Sequence, residues 1–516
     1  MKKPFLKHDP QKDGPQYLED LATGYWFSEA LFTAVELEIF TMLSSEGKSI
    51  DEISCSLECV PPGIKRFLHA LCAMGLLHED DNRYFNTSLS QTYLVTGKPE
   101  YQGASILWRK NLAPYWADLT DCLRTGGRVR CNPEQEDPVL QAQRIRSYIN
   151  AMDCIARTKV QEILPLFGEM PAGGEVIDVG AGSGAIASGF LEHYTSLHAT
   201  LLDIPEVLKY TDEMLSTRGL EKRVTYCPAN ILGAWPIDKG RYDLVVLSNI
   251  IHAYSEKELA HIFEQAMQCM KEEGILMVHD FFLEHCPEKA ALSDLNMLIN
   301  TYNGKVFSQE AVREELDRLH LFSLNPVALN TDTSLFFAAK KEDVLAHIRI
   351  DPSTRLIAQI QALGFRHVSL IPAKDVHVAD WTDLRCRSGC KRYGSPHCPP
   401  NSPSPQKTRS LLGDFSHALL LEGEPPTKAF QRKVLRAERE AFISGFHKAF
   451  AFWAGPCSLC ISCPSDGTCL NTKEGRPSME GAGIDVFETV RRAGSSLRTL
   501  SAKTDFIKYY ALLLLE

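Results

Sequence analysis

The spacing of hydrophobic positions changes several times along this chain, and each change marks a new element. From about residue 15 to 100 the apolar positions follow a helical period, as with Leu31, Val35, Leu37, Ile39 and Phe40 in ALFTAVELEIFTML. A second helix is predicted in SIDEISCSLEC, where Asp51 and Glu52 fall in the first turn and suit the helix dipole. PGIKRFLHALCAMGLLHE predicts a third, and RYFNTSLSQTYLV behind it reads as a short hairpin, giving the order of a winged helix. Residues 101–168 read as helical, with Ile149, Met152, Ile155 and Val160 on one face. Short apolar runs then alternate with helices: VIDVG, ATLLD, RVTYC, YDLVVLS and GILMVHD. Each parallel return needs a crossover, so this alternation predicts a parallel sheet. HLFSLNPVAL and SLFFAAK have no helix between them and predict a terminal hairpin. Within this region 255–272 carries a helical stripe of Leu259, Ile262, Phe263, Ala266, Met267 and Met270. Near 343 the pattern restarts: 342–365 is helix-like, HVSLIP and HALLLEG strand-like, FQRKVLRAEREAFISGFHKAF a long helix and KYYALLLL a closing strand. The expected class is α/β in three parts. These are a helical winged-helix-like domain (1–105), a Rossmann-like domain with a terminal hairpin (106–342, opening with a helical lid, 106–168) and a second α/β domain (343–516).

The run EVIDVGAGSGA holds the first chemistry. Val176, Ile177 and Val179 lead into Gly180, Gly182 and Gly184, the pattern of a buried strand feeding a helix through a tight turn that a ligand approaches closely. Asp203 closes the next apolar run, at a spacing where an acid commonly bonds ribose hydroxyls. The dinucleotide fingerprint G-x-G-x-x-G is absent, because the glycine after Gly182 comes two residues on. Gly180, Asp203, Ser248 and Asp280 all fall at predicted strand ends and should share one cleft.

Composition narrows the classes. At 516 residues the chain exceeds one ordinary hydrophobic core. A net charge of −10 argues against a general nucleic-acid or anionic-membrane binder, and the third N-terminal helix carries only Lys65 and Arg66. No apolar run is long enough to span a bilayer, and the opening MKKPFLKHDPQKDGP lacks a secretory pattern, so a reducing cytoplasm is expected. Of 16 cysteines, nine are scattered through the first 286 residues and seven fall between Cys386 and Cys469. These seven form Cys386-x3-Cys390-x7-Cys398 and Cys457-x2-Cys460-x2-Cys463-x5-Cys469, close spacings that favour a metal over disulfides. Three cysteines at successive two-residue gaps suit a 4Fe–4S cluster better than zinc, which usually takes paired knuckles across a longer loop. One four-thiolate and one three-thiolate site would use all seven, the latter leaving an iron open to His397, substrate or water; a single site with spare thiols is the other arrangement.

Four stretches carry a resemblance to known families. D-V-G-A-G-S-G resembles motif I of class I S-adenosylmethionine-dependent methyltransferases, and the N-terminal helices resemble the dimerisation domain of plant- and polyketide-type small-molecule O-methyltransferases. SNIIHAYSEKE resembles that family's L-H-D-W-S-D segment. The resemblance implies S-adenosyl-L-methionine along Asp178, Gly180, Gly182, Gly184, Asp203, Asn230, Ile231 and Ser248. It implies a small-molecule acceptor, a homodimer, and His252 as the base that removes the acceptor's proton, flanked by Asp280. It also brings Met152 toward the acceptor pocket. Transfer to oxygen is expected, with carbon as the other acceptor atom. The departures are Ala253 and Tyr254 after the histidine, Asn230 for the adenine-side acid, Ser248 for a lysine, and Val306 for a second flanking acid. The last third, with SPHCPP and RPSMEGAGIDVFETV, resembles an uncharacterised cysteine-rich metal-binding family. Two other functions fit the same residues: a cofactor-binding enzyme with non-methylating or cluster-assisted chemistry, and a non-catalytic redox sensor.

Overall fold

Polar caps and glycine breaks divide the N-terminal region into short helices. Ser49 closes a capping box with Glu52 at the start of the helix Ile50–Ser56, and Pro61 opens the helix Pro61–Ala73. The computed structural model describes residues 14–130, 137–464, 468–502 and 505–516. The opening stretch read for a secretory pattern (residues 1–13) and Cys131 among the scattered cysteines lie outside the described residues. The helices Tyr25–Glu36, Ile39–Met42, Ile50–Ser56 and Pro61–Ala73 bury Val35, Ile39, Phe40, Ile53, Leu68 and Leu71 together. The hairpin lies earlier than its expected position. Its strands are β1 (Leu77–Asp80) and β2 (Arg83–Asn86), whereas Ser88–Tyr93 is a helix capped by Thr87. Asp81 and Asn82 take positive φ at the turn, and LHED, which looks like the tail of a helix, becomes its first strand.

The chain forms two compact units, Pro15–Arg349 and Ile350–Glu516. The sheet of the first contains β3 (Glu175–Val179), β4 (His198–Asp203), β5 (Val224–Pro228), β6 (Tyr242–Ser248), β7 (Met270–Asp280), β8 (Phe322–Ser323), β9 (Val327–Ala328) and β10 (Ser334–Ala339). Its order is β5-β4-β3-β6-β7-β10-β8, with β9 also on β10; β5 through β7 are parallel and β10 runs antiparallel to β7. Order reverses at β3, so the crevice beyond the carboxyl ends of β3, β4 and β6 is where such sheets take ligands. Val176, Ile177, Val179 and Val245–Leu247 are fully buried, which explains their unbroken apolar runs. The helix expected over 255–272 spans Glu256–Cys269, and Met270 starts β7 instead, still buried in the same core. The helices Gly103–Trp116 and Pro138–Ile163 lie over this unit, joined where Gln102 donates to the Cys154 carbonyl. Ile149 and Val160 are buried there, whereas Met152 and Ile155 are half-buried.

The second unit is built on one antiparallel sheet of β11 (His367–Pro372), β12 (His417–Gly423), β13 (Phe450–Phe452) and β14 (Tyr509–Leu514), in the order β11-β12-β14-β13. Alternate residues of β12 point to different cores. Leu419 and Leu421 pack with Phe430, Val434 and Trp453, while Ala418 and Leu420 pack with Met479, Ile484 and Val490. Both faces are therefore covered, and β12 and β14 read as continuous apolar runs.

Candidate active site and thiol cluster

The turn after β3 is made by glycines for separate steric reasons. Gly180, Gly182 and Gly184 have φ of 69°, 55° and 73°. A Cβ on Gly180 would stand 1.9 Å from Ile250 Cδ1, whereas one on Gly182 would meet nothing nearer than 4.0 Å. Gly182 therefore borders open space. Asp203, at the end of β4, accepts hydrogen bonds from Gly182 N (2.9 Å) and Ile204 N (2.8 Å). A carboxylate has about four acceptor positions, so capacity is left for two hydroxyls of a ligand. Asp178 is buried at the end of β3 and accepts from Ala187 N at 3.2 Å, serving an orphan amide of the helix Ala185–His193.

Burial pushes the Asp178 carboxyl up to about 7; the Ala187 amide opposes this, and the Asp203 charge adds to it. An unfolded Asp titrates near 3.9, so the folded state holds this proton more tightly. The stabilisation from this group is complete below about pH 4 and is lost as pH rises through about 7. Asp178→Asn should remove that loss. Relative to wild type its melting temperature should rise between pH 5 and 8, and a pH-independent difference would contradict the assignment.

At the end of β6, Ser248 Oγ lies 2.8 Å from His279 Nδ1, and His279 Nε2 lies 2.8 Å from Thr333 Oγ1. Thr333 accepts from Lys159 Nζ (2.9 Å), which also reaches Asp332 (3.0 Å) and Thr331. Burial, then Lys159, depresses His279 to about 3, so this imidazole stays neutral. Next in the chain, Asn249 takes positive φ (52°) and turns the loop so that His252 faces Asp280. His252 Nδ1 is 2.5 Å from Asp280 Oδ1, and Asp280, fully buried, also accepts from Phe281 N (2.8 Å) and His252 N (3.3 Å). This arrangement leaves Nε2 as the free ring nitrogen of a side chain that retains 17% exposure.

The expected strand-end residues are therefore brought together, but Asn230 and Ile231 do other local work. Asn230 is exposed and its side chain accepts from Leu232 N (2.9 Å); Ile231 is buried and its carbonyl accepts from Trp235 Nε1 (2.9 Å). At Val306, where a second flanking acid was expected, the backbone N donates to Asp294 Oδ1 (2.7 Å). A Cβ on Gly304 would stand 2.5 Å from the His252 carbonyl, so this loop packs directly against the histidine segment. Other residues here were not legible from sequence: Asp294, Lys159, His279, Arg109 and Tyr148. Burial, then the charges of Asp203 and Asp280, push the Tyr148 phenol up, while Arg109 opposes them. Tyr148 is nonetheless 41% exposed. Tyr254 is pushed up to about 12 by burial, with Asp203, Glu258 and Tyr148 acting in the same direction.

In the second unit Cys398, Cys457, Cys460, Cys463, Cys469 and His397 line one pocket. Cys386 and Cys390 lie within electrostatic reach of Cys398, so both sequence groups meet in one thiol patch. Gln431, fully buried on the helix Thr427–Ile443, holds the loop in place by donating to Pro456 O (3.1 Å) and accepting from Ser458 N (2.9 Å). Asn471 donates to Cys460 Sγ (2.8 Å), and His397 Nε2 lies 3.2 Å from Cys469 Sγ. All the described cysteines are free thiols. Among the described residues no three His, Cys, Asp or Glu side chains stand in a preformed metal-ligating group. The donor chemistry still fits a soft metal, because five thiols converge on one pocket.

Comparison with known proteins divides the chain in the same sense. Residues 19–96 match the O-methyltransferase dimerisation domain, 133–318 the O-methyltransferase domain, and 369–515 the family described as "Predicted metal-binding protein (DUF2284)". The first two matches are to the two parts of S-adenosylmethionine-dependent O-methyltransferases, and the third is to a family whose metal binding is itself a prediction. The chain is similar to small-molecule enzymes of that class. It is 26% identical over 298 residues to 3-hydroxy-5-methyl-1-naphthoate 3-O-methyltransferase of Streptomyces sahachiroi, covering 57% of this chain and 86% of that one. It is 28% identical over 313 residues to the tetracenomycin polyketide synthesis 8-O-methyl transferase of Streptomyces glaucescens, covering 58% and 89%. Human N-acetylserotonin methyltransferase, solved in complex with S-adenosylmethionine, shares the fold with a TM-score of 0.56 at 20% identity, over 64% of this chain and 99% of that one. No helix among the described residues is long and apolar enough to cross a membrane.

Proposed function

We propose that the chain methylates a hydroxyl group on an aromatic small molecule, acting as a homodimer. The observation that carries this reading is the His252–Asp280 pair, 2.5 Å apart at the strand end beside the glycine turn. A phenol is a weak nucleophile until deprotonated. With Nδ1–H donating to Asp280, His252 presents Nε2 to accept the acceptor's proton, and the buried carboxylate stabilises the imidazolium that results. Gly180, Gly182 and Gly184 let backbone approach the cofactor, and Asp203 has the acceptor capacity for its ribose hydroxyls. When bound, S-adenosylmethionine supplies an electrophilic methyl group on a sulfonium. The remaining task for the protein is alignment, which Ile250, packed directly against Gly180, supports. Exposed Leu18, Leu21, Tyr25 and Trp26 on the first two helices support the dimer, since a partner would cover them.

For the second unit we propose iron–sulfur ligation, with Cys457, Cys460, Cys463 and Cys469 on a 4Fe–4S cluster and Cys386, Cys390 and Cys398 at a second site. The converging thiols and the close C-x2-C-x2-C spacing support this reading.

The methyltransferase reading is tested at the glycine turn. Gly182→Val forces a branched side chain to φ 55° and into the open space beside Asp203. Calorimetry should show S-adenosylhomocysteine binding weakened at least about tenfold, a change of about 1.4 kcal/mol, in a protein that still melts cooperatively. Unchanged affinity would refute the site.

A further inference from the structure

Three N–H groups point at two sulfurs of the second cysteine group. His397 Nε2 lies 3.2 Å from Cys469 Sγ, and the backbone N of Asn471 donates to the same sulfur at 3.4 Å. The Asn471 side chain donates to Cys460 Sγ at 2.8 Å. Both residues line the thiol pocket. A metal-bound thiolate has lone pairs and no proton, so the proton between His397 and Cys469 belongs to Nε2.

The donors are held from outside the pocket. Gly475 lies so close to the imidazole that a Cβ there would collide with His397 Nε2. Gly475 N and Glu474 N donate to the Asn471 carbonyl (2.8 and 3.1 Å), which ties one donor residue to the turn that braces the other. The next residue, Arg476, fastens that turn to the helix Thr427–Ile443. Its Nε donates to Glu438 (2.9 Å) and another guanidinium nitrogen donates to the Lys473 carbonyl (3.0 Å). Glu438 also accepts from Ala451 N in β13 (2.7 Å), so the turn is anchored to the sheet as well.

Reduction of an iron–sulfur cluster adds one negative charge that its sulfurs partly share, and N–H groups aimed at those sulfurs favour the reduced form. We infer that His397 and Asn471 raise the reduction potential of the cluster at Cys457, Cys460, Cys463 and Cys469, with Gly475 holding the imidazole to its sulfur. In this arrangement His397 donates to a ligand and does not fill an open iron of the three-thiolate site. The inference rests on the iron–sulfur reading and specifies how the chain tunes that site.

The test uses the full chain, purified without oxygen and titrated with dithionite through viologen mediators. Visible absorption and electron paramagnetic resonance follow the uptake of one electron per cluster, in which no bond forms or breaks. His397→Phe keeps a planar ring and removes the N–H. The ratio of reduced to oxidised cluster at a fixed potential should fall about tenfold, or about 59 mV for a one-electron couple. His397→Gln, which can still donate, should recover part of this. Gly475→Ala alters neither a thiol nor the histidine, yet it should displace the imidazole and lower the same reduction step. Asn471→Leu, which removes the donor to Cys460, should lower that step too. Iron content and melting temperature should match wild type in His397→Phe, His397→Gln and Gly475→Ala. A potential unchanged in both His397→Phe and Gly475→Ala would overturn the inference, as would shifts of different steps by His397→Phe and Asn471→Leu. Iron lost from His397→Phe would make the imidazole a ligand and overturn it as well. Wild type free of iron and acid-labile sulfide would overturn the iron–sulfur reading itself, and this inference with it.

Discussion

His252→Ala should lower methyl-transfer turnover by about a hundredfold or more, the usual scale for removing a general base. The affinity for S-adenosylhomocysteine should stay as it is, because the imidazole is placed by Asp280 and not by the glycine turn. Asp280→Asn separates proton acceptance from simple packing. The amide keeps the shape but cannot stabilise an imidazolium, and its NH2 group can turn toward Nδ1 and favour the wrong tautomer. Its rate loss should be of the same order as that of the alanine variant, although His252 is still present. Turnover that persists in both variants would mean that the acceptor loses its proton without this pair.

The second large effect concerns the thiol patch. Protein purified without oxygen should contain iron and acid-labile sulfide, with the broad visible absorption of an iron–sulfur cluster. Cys460→Ala should lose most of that iron and lower the melting transition of the 350–516 unit, since ligation and folding are linked when thiolates from separate loops share a metal. The transition of the 15–349 unit should not move. Gln431→Ala gives an independent check. It leaves every thiol in place but releases the loop that carries Cys457, so metal retention should fall with no ligand removed. Zinc as the only metal would contradict the iron–sulfur assignment.

The legible parts of the fold are those in which periodicity and burial agree. VIDVG, YDLVVLS and SLFFAAK bury every one of their apolar side chains, so their apolar runs mark them as interior strands. The errors occur where one residue satisfies two patterns. Met270 continues the stripe of its preceding helix yet begins β7, and it is buried under either assignment. LHED looks like a polar helix end, because β1 buries Leu77 alone and exposes the rest. β13 has three residues, too few to establish a period. In the candidate site, the glycines, Asp203, His252 and Asp280 are legible because each ends a strand or lies in the segment that directly follows one. Lys159, His279, Arg109 and Tyr148 are not, because their significance depends on which helix crosses which strand end. The same is true of Cys398, which sequence groups with Cys386 and Cys390 and folding brings into the pocket of Cys457.

The strand order of the second unit also governs when it can assemble during synthesis. β14 lies between β12 and β13, so β13 has no strand partner and β12, which can already pair with β11, keeps one open edge until residues 509–514 emerge from the ribosome. All cysteines of the patch have been translated by then. The nascent chain therefore presents an open strand edge and the cysteines of the patch together before the sheet closes. The strands of the first unit are complete by Ala339, so it can fold while this exposed interval lasts.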